Sequence, residues 1–268
     1  MKNKDYVLGV SDYELNRLQF QHGVWKKITD TFLNKLGITN GSRVLDAGAG
    51  PGFVARDLLS RVGTTGEVTA LEPSEMYVNY AKAYAEKNSI KNLKVIHGTV
   101  ETAELPAEYY DVIFARWVIS FVPDADKFLD RLLAALKPGG IIAFMDYAYE
   151  GLALFPKGGA FDKMADAVRA YWMHGGGDPY IGARLPKMFR ERNIEMIEYY
   201  PVAQCGGPQS GVFQWADKFF DVHIQQMVDL GIVSQTDGDS LHADWSAHRN
   251  DKDSVFISPT ITAIAGRK

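Results

Sequence analysis

Val44-Leu45-Asp46-Ala47-Gly48-Ala49-Gly50-Pro51-Gly52 joins an apolar strand to a glycine-rich turn, and its reading decides the fold. A side chain at Gly48, Gly50 or Gly52 would obstruct the tight turn or the approach of a ligand to bare backbone. The following helix offers unpaired N–H groups at its start, so the segment predicts a nucleotide-like ligand at a strand-to-helix turn. The dinucleotide fingerprint spaces its glycines GxGxxG, whereas this chain reads GxGxG and has Phe53 where the third glycine would stand. The run Val68-Thr69-Ala70-Leu71-Glu72 then ends in an acid twenty residues after Gly52. A carboxylate at the end of a second strand suits two ribose hydroxyls.

On either side of this turn the pattern alternates. Strands are expected at 43–46, 67–72, 93–97, 111–116 and 140–146, and helices at 52–61, 74–87 and 125–136. Strands separated by helical patterns imply a doubly wound, mostly parallel sheet with helices on both faces. Upstream, Ser11 and Glu14 form a capping-box signature, and Leu15, Leu18, Trp25, Ile28, Phe32 and Leu36 recur at helical spacing. After residue 147 the alternation fails: 148–182 is rich in glycine and aromatics, and 212–250 reads as helices between late strands at 194–203 and 255–265. The expected organisation is a single domain. Residues 1–40 form a helical lid, 41–147 the cofactor-binding core, and 148–182 with 212–250 cap insertions over a substrate pocket.

Asp46 to Gly52 and Glu72 resemble, residue by residue, the first motif and second-strand acid of the class I S-adenosylmethionine-dependent methyltransferases. The resemblance covers Gly41 to Asp146 well. Tyr6-Val7-Leu8-Gly9 with Glu14, Arg17, Leu18 and Gln21 is similar to a small-molecule group within that family. So are Gly207, Pro208, Ser210 and Trp215, and the ending Gly266 to Lys268. The resemblance implies a Rossmann-like, seven-stranded sheet whose last two strands form an antiparallel hairpin at one edge. It also implies S-adenosyl-L-methionine as cofactor.

In an open α/β sheet the ligand lies beyond the carboxyl ends of the strands. The candidate cofactor residues there are Asp46, Gly48, Ala49, Gly50, Gly52, Glu72, Pro73, Met76, Gly98, Thr99, Val100, Arg116 and Trp117. In the resembled family an Asp commonly meets the adenine amine after the third strand. Thr99 stands there, so backbone groups, Val100 and Glu101 take over that role. Met76 is either an apolar lid over the adenine or a core residue. Arg116 either adjoins the methionine moiety or makes a surface salt bridge, and Trp117 faces either the methyl donor or the core. Arg17 can fork onto the cofactor carboxylate, joined by Tyr6 and Gln21, or all three are ordinary residues of the first helix.

A sulfonium methyl is already activated, so alignment and desolvation can carry most of an in-line displacement. A general base matters for a phenol or alcohol acceptor. Tyr147, His174 and His22 are the candidates, with His223 and His242 behind them. Trp25, Trp172, Trp215, Phe213, Tyr180 and Tyr199 supply aromatic surface, so the expected acceptor is a small aromatic or polyketide-like metabolite. A quinone-biosynthesis type C-methyltransferase and a non-catalytic S-adenosylmethionine-binding protein are the alternatives. Phe53 and the long first helix disfavour a nicotinamide-dependent oxidoreductase.

The chain has 268 residues, net charge −4 and a single cysteine, Cys205. This length can bury a full core. Without a basic stripe no nucleic-acid partner is expected, and one cysteine excludes an internal disulfide. No basic-then-apolar leader and no long apolar stretch are read, so the expectation is a cytoplasmic protein with no membrane partner. Ala115-Arg116-Trp117-Val118 replaces the Asn-Pro-Pro-Tyr tetrapeptide of amino-methylating nucleic-acid enzymes. No metal is expected, although Asp146 could contribute one ligand.

Overall fold

The computed structural model describes residues 12–268, so Tyr6 and Ser11 lie outside the described residues. Helix α1 (Asp12–Leu33) precedes the first βα unit, β1 (Arg43–Ala47) and α2 (Phe53–Val62). Then come β2 (Glu67–Glu72), α3 (Glu75–Lys87), β3 (Leu93–His97), β4 (Tyr110–Arg116), α4 (Ala125–Ala135) and β5 (Leu136–Tyr147). Side chains end the linkers and start the helices. Ser74 accepts from the Tyr77 N–H at the start of α3, and Asp124 from the Lys127 N–H at the start of α4.

The second half is less regular. It runs through β6 (Ala153–Phe155), α5 (Met164–His174), α6 (Ile181–Glu191), β7 (Glu195–Val202), β8 (Cys205–Gly206), α7 (Gly211–Asp229), α8 (Gln235–Asn250), β9 (Val255–Ile257) and β10 (Ile261–Arg267). The main sheet has seven strands in the order β3-β2-β1-β4-β5-β10-β7. The first five are parallel, and β10 runs antiparallel to both β5 and β7. Strand order reverses between β1 and β4, which opens a crevice at their carboxyl ends.

Alternate residues of the parallel strands face opposite layers, because successive strand side chains point to opposite faces. Val44, Val112, Phe114 and Met145 pack in one core cluster with Trp25 and Phe32 of α1. Leu45, Ile113, Ala115 and Phe144 pack in the other with α4 and α6. Both faces are covered, which is why these strands read as continuous apolar runs. Phe114 is fully buried, and its truncation to Ala should cost about 3–5 kcal/mol.

Two features depart from expectation. The strand expected at 255–265 is two strands in two sheets: β9 pairs with β6 and β8 in a small three-stranded sheet, and β10 enters the main one. Pro259 lies in the break and has no N–H for a ladder, while Ser258 and Thr260 donate their N–H groups to Gln204 and Glu150. Helix α6 had no counterpart in the sequence pattern. Pro186 lies inside it, yet Ile181, Leu185, Met188 and Phe189 form a buried face against β5 and β10. Elsewhere α7 packs on α1 and α8. Among the described residues no helix is long and apolar enough to cross a membrane.

Candidate active site

The glycine turn leaves β1 with Gly48, Gly50 and Gly52 all at positive φ, +75°, +54° and +81°. A Cβ at Gly48 would stand 2.4 Å from Val118 Cγ2, so the turn after β1 touches the turn after β4. A Cβ at Gly50 would meet nothing within 4 Å, so this glycine presents its backbone to open space. The Gly48 and Ala49 N–H groups donate to Leu71 O at 2.8 and 3.0 Å, which moors the turn on β2.

Glu72 binds the same turn through its side chain. Its Oε2 accepts from Gly50 N and its Oε1 from Ser74 N, both at 2.8 Å. Burial raises its pKa, and those two N–H groups oppose the rise. Asp46 accepts the Ala55 N–H in the first turn of α2, whose N-cap, Gly52, offers no side chain. Its Oδ2 has no hydrogen-bond partner among the described residues. Burial pushes the Asp46 carboxyl up to about 7, against the attraction of Arg116.

The remaining strand ends surround this turn. Pro73 is exposed, and its carbonyl lies 2.9 Å from His97 Nε2. Met76 is half-buried and belongs to neither core cluster, which decides against the core reading. Gly98 N donates to Glu72 O, and Thr99 N to Thr102 Oγ1. Val100 is buried in the second core cluster, and its carbonyl accepts from Arg131.

Arg116 is not a surface ion pair. It donates to Thr29 Oγ1 at 2.7 Å and to His22 Nδ1 at 3.3 Å, and its guanidinium lies 4.7 Å over the Trp117 ring. Burial pulls it down to about 10. Because a guanidinium only donates, His22 Nδ1 accepts and Nε2, 3.3 Å from Asp57 Oδ2, carries the proton. Burial and Arg116 pull His22 down to about 4, so it is neutral, with Nδ1 held by Arg116.

Trp117 is one of four non-glycine residues at positive φ among the described residues, at +57°. Such a conformation costs about 1–3 kcal/mol and persists only where neighbours hold it. Asp146, at the end of β5, supplies the hold. Its Oδ2 accepts from Val118 N at 2.8 Å and Ser120 N at 3.3 Å, and its Oδ1 from Tyr147 N at 2.8 Å. Burial lifts Asp146 to about 6 against these bonds. These carboxylate oxygens serve the backbone of the turn, and among the described residues no cluster has metal-ligand character.

Trp117 faces Tyr147, with ring centroids 6.4 Å apart, and meets Trp25 edge-on at 5.6 Å. Trp25 meets Trp215 at 5.4 Å, and Tyr147 meets Trp172 at 6.0 Å. Of the aromatic residues named from sequence, Trp25, Trp172 and Trp215 therefore converge on the strand ends. Phe213 does not: it stacks on Trp245 at 4.5 Å, and Phe220 and Phe219 stand between that pair and Trp172. Tyr180 and Tyr199 are exposed. His174 is solvent-exposed in the last turn of α5, whereas Trp172, two residues earlier, is buried.

On α1, Arg17 forks onto Glu14 with both contacts at 2.6 Å, so Glu14 serves Arg17. Arg17 also donates to Gln21 Oε1, which accepts from Trp215 Nε1 at 2.7 Å. The Gly207-Pro208-Gln209-Ser210 segment acts locally: Ser210 caps α7 by accepting from Phe213 N, and the helix then carries Trp215 to Gln21. Sequence reasoning missed Val118 beneath Gly48, the Asp146 clamp, and Phe219. The last had a signal, since Trp215, Phe219 and His223 lie four residues apart on one helical stripe.

The sequence profile of the methyltransferase domain family matches residues 38–193, more than half of the chain. The chain belongs to that family and is an S-adenosylmethionine-dependent methyltransferase. The demethylmenaquinone methyltransferase of Lactococcus lactis is 24% identical over 193 residues, covering 67% of this chain and 75% of that protein. The Staphylococcus aureus enzyme of the same name is 33% identical over 138 residues, 50% of this chain and 54% of its own length. A solved Aquifex aeolicus SAM-dependent methyltransferase has 25% identity and a TM-score of 0.50, covering 63% of this chain and 81% of that one. The Haemonchus contortus phosphoethanolamine-type N-methyltransferase shares the fold at TM-score 0.56 and 18% identity, over 89% of this chain and 51% of its own. The residues at the glycine turn fit the cofactor: a buried carboxylate stands beside an open Gly50, and Asp46 keeps an oxygen without a hydrogen-bond partner among the described residues.

Proposed function

We propose that the chain methylates a small aromatic or polyketide-like metabolite. The observation that carries this reading is the continuous wall of Trp117, Tyr147 and Trp172 running from the ends of β4 and β5 beside the glycine turn. When bound, the cofactor supplies a sulfonium methyl open to in-line displacement by the acceptor.

The chain's own groups then hold and orient. In this reading Glu72 exchanges its bond to Gly50 for the ribose hydroxyls, and the backbone of Gly48 to Gly52 receives the methionine part. Pro73 and Met76 border the adenine together with Gly98, Thr99 and Val100. Arg116 works through its neighbours, steadying Trp117 from beneath. Gln21, held by Arg17, ties α1 to α7 through Trp215, which supports a lid role for the described part of residues 1–40, with 148–182 and 212–250 as the cap that selects the acceptor. Aromatic faces exclude water and favour a nearby positive charge by about 0.5–2 kcal/mol. Tyr147 is the base candidate best supported by position, because the accepting nitrogen of His22, Nδ1, is taken by Arg116 and His174 faces solvent.

The demethylmenaquinone relatives favour a second reading within the same chemistry, C-methylation of a quinone-type ring. Both readings are tested by transfer of an isotope-labelled methyl from S-adenosylmethionine to a panel of phenols, hydroxyquinones and aliphatic amines. Labelled aromatic product is expected. Labelled amines alone would overturn the aromatic reading.

A further inference from the structure

Asp146 stands two strands away from the glycine turn, since β1, β4 and β5 are neighbours in that order. The turn after β4 joins the two. Asp146 is 1% exposed, and both of its carboxylate oxygens are taken up by backbone, Oδ2 by the N–H groups of Val118 and Ser120 and Oδ1 by that of Tyr147. Val118 in turn lies against Gly48, so close that a Cβ there would stand 2.4 Å from its Cγ2. One buried side chain therefore sets where the β4 turn sits on the glycine turn.

The base of this clamp is anchored from behind. Asp146 O accepts from Thr262 Oγ1 of β10 at 3.1 Å, and α6 packs so tightly that a Cβ on Gly182 would come within 3.1 Å of that oxygen. The held side is strained, because Trp117, just before Val118, keeps φ at +57° while donating its N–H to Met145 O. Strain of this kind persists only where the surroundings over-determine it. Without the carboxylate the Val118 and Ser120 N–H groups lose their acceptor, and the turn can swing away from Gly48.

We propose that Asp146 is a positioning residue for the cofactor, holding the β4 turn against Gly48 so that the glycine turn is already shaped when S-adenosylmethionine arrives. The inference rests on the reading that the cofactor lies along Gly48 to Gly52. A preformed turn spares the ligand the cost of ordering it, so a residue acting from β5 alters affinity through Val118.

The test is calorimetric titration of S-adenosylhomocysteine into the full chain and its variants. Asp146→Ala removes all three bonds and should weaken binding by about tenfold. Asp146→Asn keeps one accepting oxygen, enough for both N–H groups of the β4 turn, and should restore most of that loss. Burial already lifts this carboxyl to about 6, so an uncharged side chain is tolerated here. Val118→Ala leaves the backbone bonds in place and should weaken binding by about threefold. Because the two residues act in series, the double variant should bind no more weakly than Asp146→Ala alone. A merely structural role would lower the melting temperature of these variants and leave their affinities at the wild-type value. Wild-type affinity in Val118→Ala would overturn the inference even if Asp146→Ala does not fold, and so would additive losses or an Asp146→Asn as weak as the alanine variant. Affinity lost in Glu72→Ala alone would overturn this inference and keep the cofactor at the glycine turn. Affinity kept in Glu72→Ala as well would overturn that placement too.

Discussion

The two halves of this chain recognise by different means. Between Arg43 and Tyr147 strands and helices alternate except from β3 to β4, and the turn at Gly48 to Gly52 works through backbone shape, three positive φ angles and one close approach to Val118. Between Ala148 and Ile257 helices and a small sheet interrupt the order, and what they bring to the strand ends is side-chain surface, Trp172 from α5 and Trp215 with Phe219 from α7. A cofactor common to a family can be met by backbone, which any sequence with the right glycines provides. An acceptor particular to one protein calls for side chains, and these gather from segments far apart in the chain.

Substitutions in the first half should act on the cofactor, and those in the second on the acceptor alone. The largest effect is expected for Gly48→Ala, which forces a strained φ and drives Cβ into Val118. It should cost about 2–5 kcal/mol of stability by denaturant melting and remove S-adenosylhomocysteine binding. Wild-type affinity in this variant would break the comparison at its root.

Asp46→Asn comes next, through pH. The folded pKa, about 7, lies above the ordinary value, so the protonated acid favours the fold. That contribution is complete below about pH 4 and is lost as pH rises through about 7. The wild-type advantage over the variant should therefore shrink by up to about 1.4 kcal/mol per pH unit across this window. Denaturant melts at intervals from pH 4 to 8 would measure it, and a flat difference would contradict the burial argument.

Glu72→Ala should weaken S-adenosylhomocysteine by about 1–3 kcal/mol in calorimetry, through lost charged hydrogen bonds. Unchanged affinity would show that Glu72 serves only Gly50 and Ser74. Trp172→Phe should be mildest, about 1–2 kcal/mol of stability, since its Nε1 has no partner to lose among the described residues. It should raise the KM for the acceptor and leave cofactor affinity unchanged. An equal effect on both would erase the division between the halves.

What could be read in the sequence follows the same division. The glycine turn, Glu72 and the first five strands were legible because a turn and a buried strand each constrain their own residues locally. Helix α6 was hidden by Pro186, and the split of the last strand by a mostly apolar run in which the short break Ser258-Pro259-Thr260 carries no glycine or charge to mark a turn. Arg17 was expected to fork onto a ligand carboxylate, and among the described residues it forks onto Glu14, a pairing three residues away that the sequence reading did not single out. The convergence of Trp25, Trp117 and Trp215 depends on how α1 and α7 cross, which no periodicity encodes. Phe213 and Tyr199 are as aromatic as Trp172, and only packing separates them.

The most direct measurement is the melting temperature of the full chain with S-adenosylhomocysteine or with NAD, each at about a hundred times the dissociation constant expected for its own enzyme class. A saturating ligand at that excess stabilises by roughly 2.7 kcal/mol. The turn with Phe53 in the third glycine's position, and Glu72 against Gly50, predicts a clear upward shift with S-adenosylhomocysteine, none with NAD, and a smaller shift in Glu72→Ala. A shift with NAD and none with the adenosyl compound would contradict the account.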